Sequence, residues 1–344
     1  MENWQRNLQA ALTDPEELAP YFSCELDSLR RVVEKYPMRI TPYYLGLIHE
    51  PGDPIWRQCV PDLHELDEDG LHSDPLDEEN LSPTPAVIHR YPDRVVFLAT
   101  TRCAVYCRFC LRKRKVGCAT AEVGEQTLDA GISYIEKTPA IRDVILSGGD
   151  PLLLPDDQLE WLLTRLRRIH HVEIIRIGTR VPVTLPERIS PKLCRMLKTF
   201  HPLYINTHFN HPLEVTAESS AACSLLSDAG IPLGNQTVLL RGVNDDPQTM
   251  KRLMQKLLTI RVRPYYIHQL DLVKGAGHFR AEVKQGLEIM AGLRGYTSGM
   301  ANPYYVIDAP GGKGKIPLLP DVARFQGNSL ILQNYLGEQI DYPL

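Results

Sequence analysis

Two hydrophobic periods alternate along the chain from residue 91 to residue 293. Short apolar runs rich in β-branched and aromatic residues, such as Val95-Val96-Phe97-Leu98-Ala99, are separated by stretches whose apolar residues recur at helical spacing. The runs predict strands over 95–101, 143–147, 172–179, 203–208, 232–240 and 263–269. The helical spacing predicts helices over 125–136, 156–169, 191–200, 217–229, 247–258 and 281–293. Successive strand–helix units of this kind imply the α/β class, with a parallel sheet and helices outside it. A doubly wound sheet and a partial (β/α)6 TIM-like barrel both fit. The barrel is preferred because chemically capable residues recur at strand C-terminal ends, the face that carries the site in such barrels. Those residues are the cysteines after the first strand, the turn Ser147-Gly148-Gly149-Asp150, the pair Thr207-His208, and Asp271.

The flanks read differently. Residues 1–88 form an N-terminal helical segment followed by a long loop. Asp14-Pro15-Glu16-Glu17 is a helix start, and Leu29, Val32 and Val33 stand at helical spacing. Residues 51–88 are rich in Pro, Asp, Glu and Gly and hold no period. They read as an ordered loop, because Ile55, Trp56, Val60, Leu63 and Leu66 recur through them. Residues 89–295 are the core, and 296–344 form a C-terminal extension, with a short strand near 329–332, that closes over or beside the barrel.

Composition narrows the classes. An apolar content of 43% in 344 residues supplies an ample core, and a formal charge of −4 leaves no basic excess for nucleic acid. The start Met1-Glu-Asn-Trp-Gln is unlike a signal segment, and no apolar run is long enough to span a bilayer. A cytoplasmic location with no membrane partner is expected. Of the eight cysteines only Cys103, Cys107 and Cys110 cluster; Cys24, Cys59, Cys194 and Cys223 are scattered, unlike a secreted disulfide framework. Cys118, eight residues past Cys110, reads as a bystander.

In Cys103-Ala-Val-Tyr-Cys107-Arg-Phe-Cys110 three thiols fall within eight residues. Clustered thiolates select iron–sulfur clusters, zinc or copper(I). A cubane cluster normally takes four cysteines, so three would leave one iron open to a substrate or cofactor. A zinc loop, a disulfide pair and chance spacing are the alternatives. In Ser147-Gly-Gly-Asp150 the glycines would let backbone approach a ligand, and the carboxylate could accept from an ammonium; an ordinary turn is the plain alternative. Arg90 and Arg94 before the first strand suit an anion such as phosphate, or a surface salt-bridge loop. Lys315, in Asp308-Ala-Pro-Gly-Gly-Lys-Gly-Lys315, lacks the spacing of a Walker loop and could cradle phosphate or form a Schiff base.

Cys-x3-Cys-x2-Cys with Phe109 before its last cysteine resembles the radical S-adenosylmethionine (SAM) motif. From about residue 87 to 336 the chain resembles the lysine 2,3-aminomutases, in a short form with no Cys after Cys223 and so without the zinc-binding tail that some members carry. The resemblance implies a [4Fe–4S] cluster on Cys103, Cys107 and Cys110. It implies SAM held at Ser147, Gly148, Gly149 and Asp150, with His208 as a further contact unless it is a structural histidine. It implies pyridoxal 5′-phosphate (PLP) bound covalently to Lys315 and gripped by Arg90, Tyr91, Arg94 and Gln236. Arg112 matches the clamp for the substrate α-carboxylate, and Asp271 and Asp308 match the carboxylates that hold the lysine side-chain ammonium. Within the matched segments Lys313 introduces a rival amine, and His268 stands where a tyrosine is expected. A substrate with an anionic head and a distant cationic tail needs one Arg and opposed acids, whereas a glutamate-using relative would need a cation or amide at the Asp positions.

The implied reaction is a 1,2-amino shift interconverting L-lysine and L-β-lysine. The electron would come from a donor such as flavodoxin or ferredoxin, and a homo-oligomer stays open. One alternative keeps the chemistry and moves it to a lysine residue of translation elongation factor P. Another, of a different class, is a non-catalytic iron–sulfur or zinc protein.

Overall fold

Short capped helices open the chain. The computed structural model describes residues 2–67, 70–118, 123–319, 322–326 and 329–343, and begins with α1 (Asn3–Gln9), α2 (Leu26–Val33), α3 (Pro42–Leu45) and α4 (Pro54–Cys59). Asp53 caps α4 by accepting from the amides of Ile55 and Trp56, with Pro54 in the first turn. This short helix and the turn at Leu63–Leu66 lie inside the stretch expected to be loop. Trp4, Leu8, Leu29, Tyr44 and Ile55 join the same apolar cluster as the barrel, so this layer packs directly on the core.

The barrel sheet follows the chain. β1 (Val87–Tyr91) pairs antiparallel with β2 (Arg94–Thr100). Then β3 (Asp143–Gly148), β4 (Ile174–Gly178), β5 (Leu203–Thr207), β6 (Leu233–Leu239) and β7 (Val262–Gln269) each lie parallel to the strand before. β8 (Tyr304–Ala309) continues in parallel beside β7, and β9 (Gly314–Leu318) returns antiparallel. Spatial order equals sequence order across the sheet, which excludes the doubly wound alternative, where the order must reverse at a switch point. The expected strands and helices recur within about two residues of the observed bounds. The expectation stopped at β7, yet the extension from 296 is not detached: β8 and β9 complete the sheet. Beyond them β10 (Ala323–Gln326), β11 (Ser329–Gln333) and β12 (Gln339–Pro343) form a separate antiparallel sheet.

Parallel neighbours require crossovers, and helices supply them: α5 (Glu125–Glu136), α6 (Asp156–Arg167), α7 (Val181–Thr184), α8 (Pro191–Lys198), α9 (Ala217–Asp228), α10 (Pro247–Thr259) and α11 (Val283–Leu293). Several bury one face at the same spacing: Leu159, Leu162, Leu163 and Leu166 on α6, and Met250, Leu253, Met254 and Leu257 on α10. They cover outward strand residues such as Val144, Leu146, Ile175 and Ile177, which are fully buried. Each such side chain contributes about 1.5–3 kcal/mol on leaving water.

The opposite faces of the strands point inward, and their chemistry is polar. Asp143, Ile145 and Ser147 of β3, Arg176 and Gly178 of β4, Gln236 and Val238 of β6, and Tyr266 and His268 of β7 alternate along one wall. A filled barrel carries bulky branched residues there. This one encloses a cavity of about 720 Å³.

Candidate active site

The cysteine loop follows β2 directly. Its shape is fixed from beneath by charges on both sides of its last cysteine. Arg108 donates to Glu65 at 2.8 and 2.6 Å and to the Pro37 carbonyl at 2.8 Å, and Lys113 Nζ lies 2.6 Å from the same carboxylate. These side chains are buried, so each charge depends on its partner. The loop holds Cys103, Cys107 and Cys110, half-buried, against the cavity. Arg180, directly after β4, donates from Nη1 to Cys107 Sγ at 2.8 Å. Burial pushes the Cys110 thiol up to about 11 and Cys103 well above its usual range, so ionising these two calls for positive charge. Among the described residues, no three His, Cys, Asp or Glu side chains are grouped tightly enough for a single metal ion. The donor set, three soft sulfurs with a guanidinium on one of them, fits an iron–sulfur cluster. Cys118 is exposed and lies outside the cavity wall.

The Ser147–Asp150 turn lies against this loop. Gly148 has φ +114°, and a Cβ there would stand 2.3 Å from the Thr100 carbonyl oxygen. A Cβ on Gly149 would stand 2.3 Å from the Arg102 carbonyl oxygen. The glycines therefore serve the approach of one loop backbone to another, and the Gly149 and Asp150 amides donate to Thr100 and Arg102 at 2.5 and 2.8 Å. The reading of Asp150 needs correction. Its carboxylate already accepts from the Thr179 hydroxyl and from the Arg180, Val181 and Leu152 amides at 2.6–3.1 Å. That fills its acceptor positions and brackets β3 to β4, leaving none for a ligand ammonium. Gly148, Gly149 and Ser147 still line the cavity, as does His208. Burial, then the Arg180 charge, holds His208 well below the usual histidine range, and its buried Nε2 has no protein partner.

The facing wall is built by the β8–β9 hairpin. Gly311 and Gly312 take φ of 69° and 71° in its turn, and the register sets Lys315 directly opposite Asp308. Lys315 Nζ donates to Asp308 Oδ2 at 2.5 Å, Arg90 Nη1 donates to Oδ1 at 3.1 Å, and His268 Nδ1 lies 3.4 Å from Oδ2. Burial alone would raise the Asp308 carboxyl, but His268 and the Lys315 charge outweigh it and hold the group well below the carboxylate range. The Tyr91 hydroxyl accepts from the Lys315 amide at 2.7 Å, and Arg94 lies over the Tyr91 ring at 3.8 Å. Arg90 Nε and His268 Nε2 are buried without protein partners. The unpaired Arg90 donor beside a lysine amine fits an anionic, aldehyde-bearing group such as PLP. Lys313 is exposed on the turn and is not part of the wall.

Between the two walls lie Arg112 and Asp271. Arg112 forms a two-pronged pair with Glu78 at 2.9 and 2.7 Å and reaches the Ser147 hydroxyl at 3.3 Å. Burial, with the Asp308 charge, raises the Asp271 carboxyl to about 7. The cavity brings together Cys103, Cys107, Cys110, Arg90, Tyr91, Arg94, Arg112, Ser147, Gly148, Gly149, Asp150, His208, Gln236, Asp271, Asp308 and Lys315. Sequence reasoning missed Arg180 and Glu78. Arg180 follows a predicted strand end, the same signal that singled out its neighbours; Glu78, in a stretch without period, gave none.

A barrel with three cysteines after its first parallel strand defines a class, and residues 97–254 match the Radical SAM superfamily profile. Residues 290–343 match the profile described as Lysine-2,3-aminomutase. The chain is 50% identical to the L-lysine 2,3-aminomutase of Acetoanaerobium sticklandii, over 97% of this chain and 83% of that one. It is 49% identical to that of Clostridium subterminale, over 97% and 82%. It is also 45% identical to the glutamate 2,3-aminomutase of Clostridioides difficile, over 96% and 79%. The chain belongs to the lysine 2,3-aminomutase family of radical SAM enzymes.

Proposed function

We propose that this enzyme interconverts L-lysine and L-β-lysine by shifting the amino group between adjacent carbons. The observation that carries the reading is that the cysteine loop and Lys315 face one cavity, with Arg112, Asp271 and Asp308 in its wall. When bound, the [4Fe–4S] cluster with SAM supplies a carbon-centred radical, and PLP supplies a conjugated ring that spreads unpaired spin.

The protein's part is placement and charge pairing. Cys103, Cys107 and Cys110 hold the cluster. Ser147, Gly148, Gly149 and His208 form the SAM wall, with Asp150 fixing that wall from behind. Arg90, Tyr91, Arg94 and Gln236 hold the PLP phosphate, and Tyr91 pins the Lys315 backbone. Arg112 takes the α-carboxylate. Asp271 and Asp308 take the side-chain ammonium, which replaces the Lys315 ammonium as the partner of Asp308. Glutamate in the same pose would set a third carboxylate beside two others, a repulsive arrangement. A small electron carrier such as flavodoxin or ferredoxin reduces the cluster, and the enzyme works in the cytoplasm. Among the described residues, no helix is long and apolar enough to cross a membrane.

Anaerobic protein reconstituted with iron, sulfide and PLP, then given SAM and dithionite, is offered lysine, glutamate and purified elongation factor P in parallel. β-Lysine from the first arm alone is the expected result. Turnover only of the protein substrate would sink the free-lysine reading.

A further inference from the structure

Glu78 lies in the segment between the helical layer and β1, outside the residues that the proposed function uses. Its carboxylate is buried and takes the Nε and Nη2 hydrogens of Arg112 at 2.9 and 2.7 Å. A guanidinium is a planar fork with two usable edges. Glu78 occupies one edge, and the other, through Nη1, remains toward Ser147 and the cavity.

Glu78 is itself held. Asp74 accepts from the Glu78 amide at 3.1 Å and from the Glu79 amide at 3.0 Å, and pairs with Arg114 at 3.0 Å. The segment is tied on either side to other site-bearing loops. The His72 amide donates to the Leu272 carbonyl at 3.1 Å, beside Asp271, and the Gly311 amide donates to the Pro75 carbonyl at 2.9 Å, in the turn before Lys315.

We infer that Glu78 is a positioning residue that fixes the plane of Arg112 so that its open edge meets the substrate α-carboxylate. This rests on the proposed reading of Arg112. The need for such a device follows from the length of the side chain. Arg112 has a flexible stem, and freed from Glu78 its fork would turn about that stem so that the open edge no longer faced the α-carboxylate. Asp271 and Asp308, at the cation-binding end, would still hold an ammonium.

The test uses PLP-loaded protein without reductant, so nothing turns over. Calorimetry compares L-lysine with 1,5-diaminopentane, which is lysine without its carboxylate. Glu78→Gln is expected to weaken lysine by about tenfold or more while diaminopentane changes by less than about twofold. Arg112→Met is expected to show the same selectivity, and the double variant to be no worse than Arg112→Met alone. Asp74→Asn, which loosens the turn without touching the pair, should show a smaller loss of the same kind and serves if Glu78→Gln does not fold. Equal weakening of both ligands, no change, or tighter lysine binding in the Glu78 and Asp74 variants overturns the inference. If Arg112→Met itself fails to discriminate, the reading of Arg112 falls first and takes the inference with it. If it discriminates while the other variants do not, only the role of Glu78 falls.

Discussion

Asp271 is the carboxylate whose charge depends most on conditions near neutrality. Burial and the neighbouring Asp308 charge lift it to about 7, so below that pH it is largely protonated and cannot pair with an ammonium. A carboxyl raised in the folded state makes the ligand-free protein lose stability as pH climbs from its ordinary value of 3.8 to about 7, and a bound cation offsets that loss. Lysine affinity should therefore rise by about tenfold per pH unit up to about pH 7 and then level off, with one proton released per lysine bound below it. Calorimetry in buffers of different ionisation enthalpy measures both. Asp271→Asn should flatten the profile, and a flat profile in the parent protein would mean that Asp271 does not meet the ammonium. Lys315 yields a second prediction, because only it, and not the exposed Lys313, lines the cavity. After borohydride reduction, mass spectrometry should find PLP fixed on the peptide containing Lys315. The adduct should vanish in Lys315→Ala and persist in Lys313→Ala; the reverse would move the covalent site. Such residues stand out in the sequence because their types suit the chemistry, and the structure sets them in the wall of one cavity. Asp150 was misjudged for the same reason: its type suits an ammonium, but its geometry commits it to three amides and a hydroxyl.

At the scale of elements, periodicity carried the strands and helices of the barrel well, because each buries a regular face. The segment from 51 to 88 shows the limit. Its contacts are far apart in sequence: Glu65 meets Arg108, and Glu78 meets Arg112. No local pattern encodes partnerships across such distances. The consequence for the cysteine loop is strong. Glu65→Gln would leave Arg108 and Lys113 buried with no counter-charge, and it should destabilise the protein by roughly 3–5 kcal/mol. Urea denaturation gives the figure, and iron content after reconstitution should drop with it. A variant that holds full iron at unchanged stability would show that the loop is positioned by other contacts.

Across the whole molecule, the first part of the extension, β8 and β9, belongs to the barrel wall, while β10–β12 form a sheet of their own. The pattern changes at 296, and the change is real, but Tyr304-Tyr305-Val306 has strong β propensity and pairs with β7. Ending the chain at residue 295 would bare the β7 edge and remove Asp308 and Lys315 together. Such a truncation should aggregate on purification rather than behave as an independent core, as size-exclusion chromatography would reveal. A soluble, cooperatively melting truncation would show that the chain to residue 295 folds without the extension.

The hollow interior has one more implication. Side chains that would otherwise interlock along the barrel axis have been exchanged for groups that hold small molecules, and the dispersion contacts they would have made are forgone. In the working enzyme those molecules fill the centre of the fold. Heating should therefore unmake the emptied chain before the furnished one, and the same atoms that perform the reaction keep its container in shape.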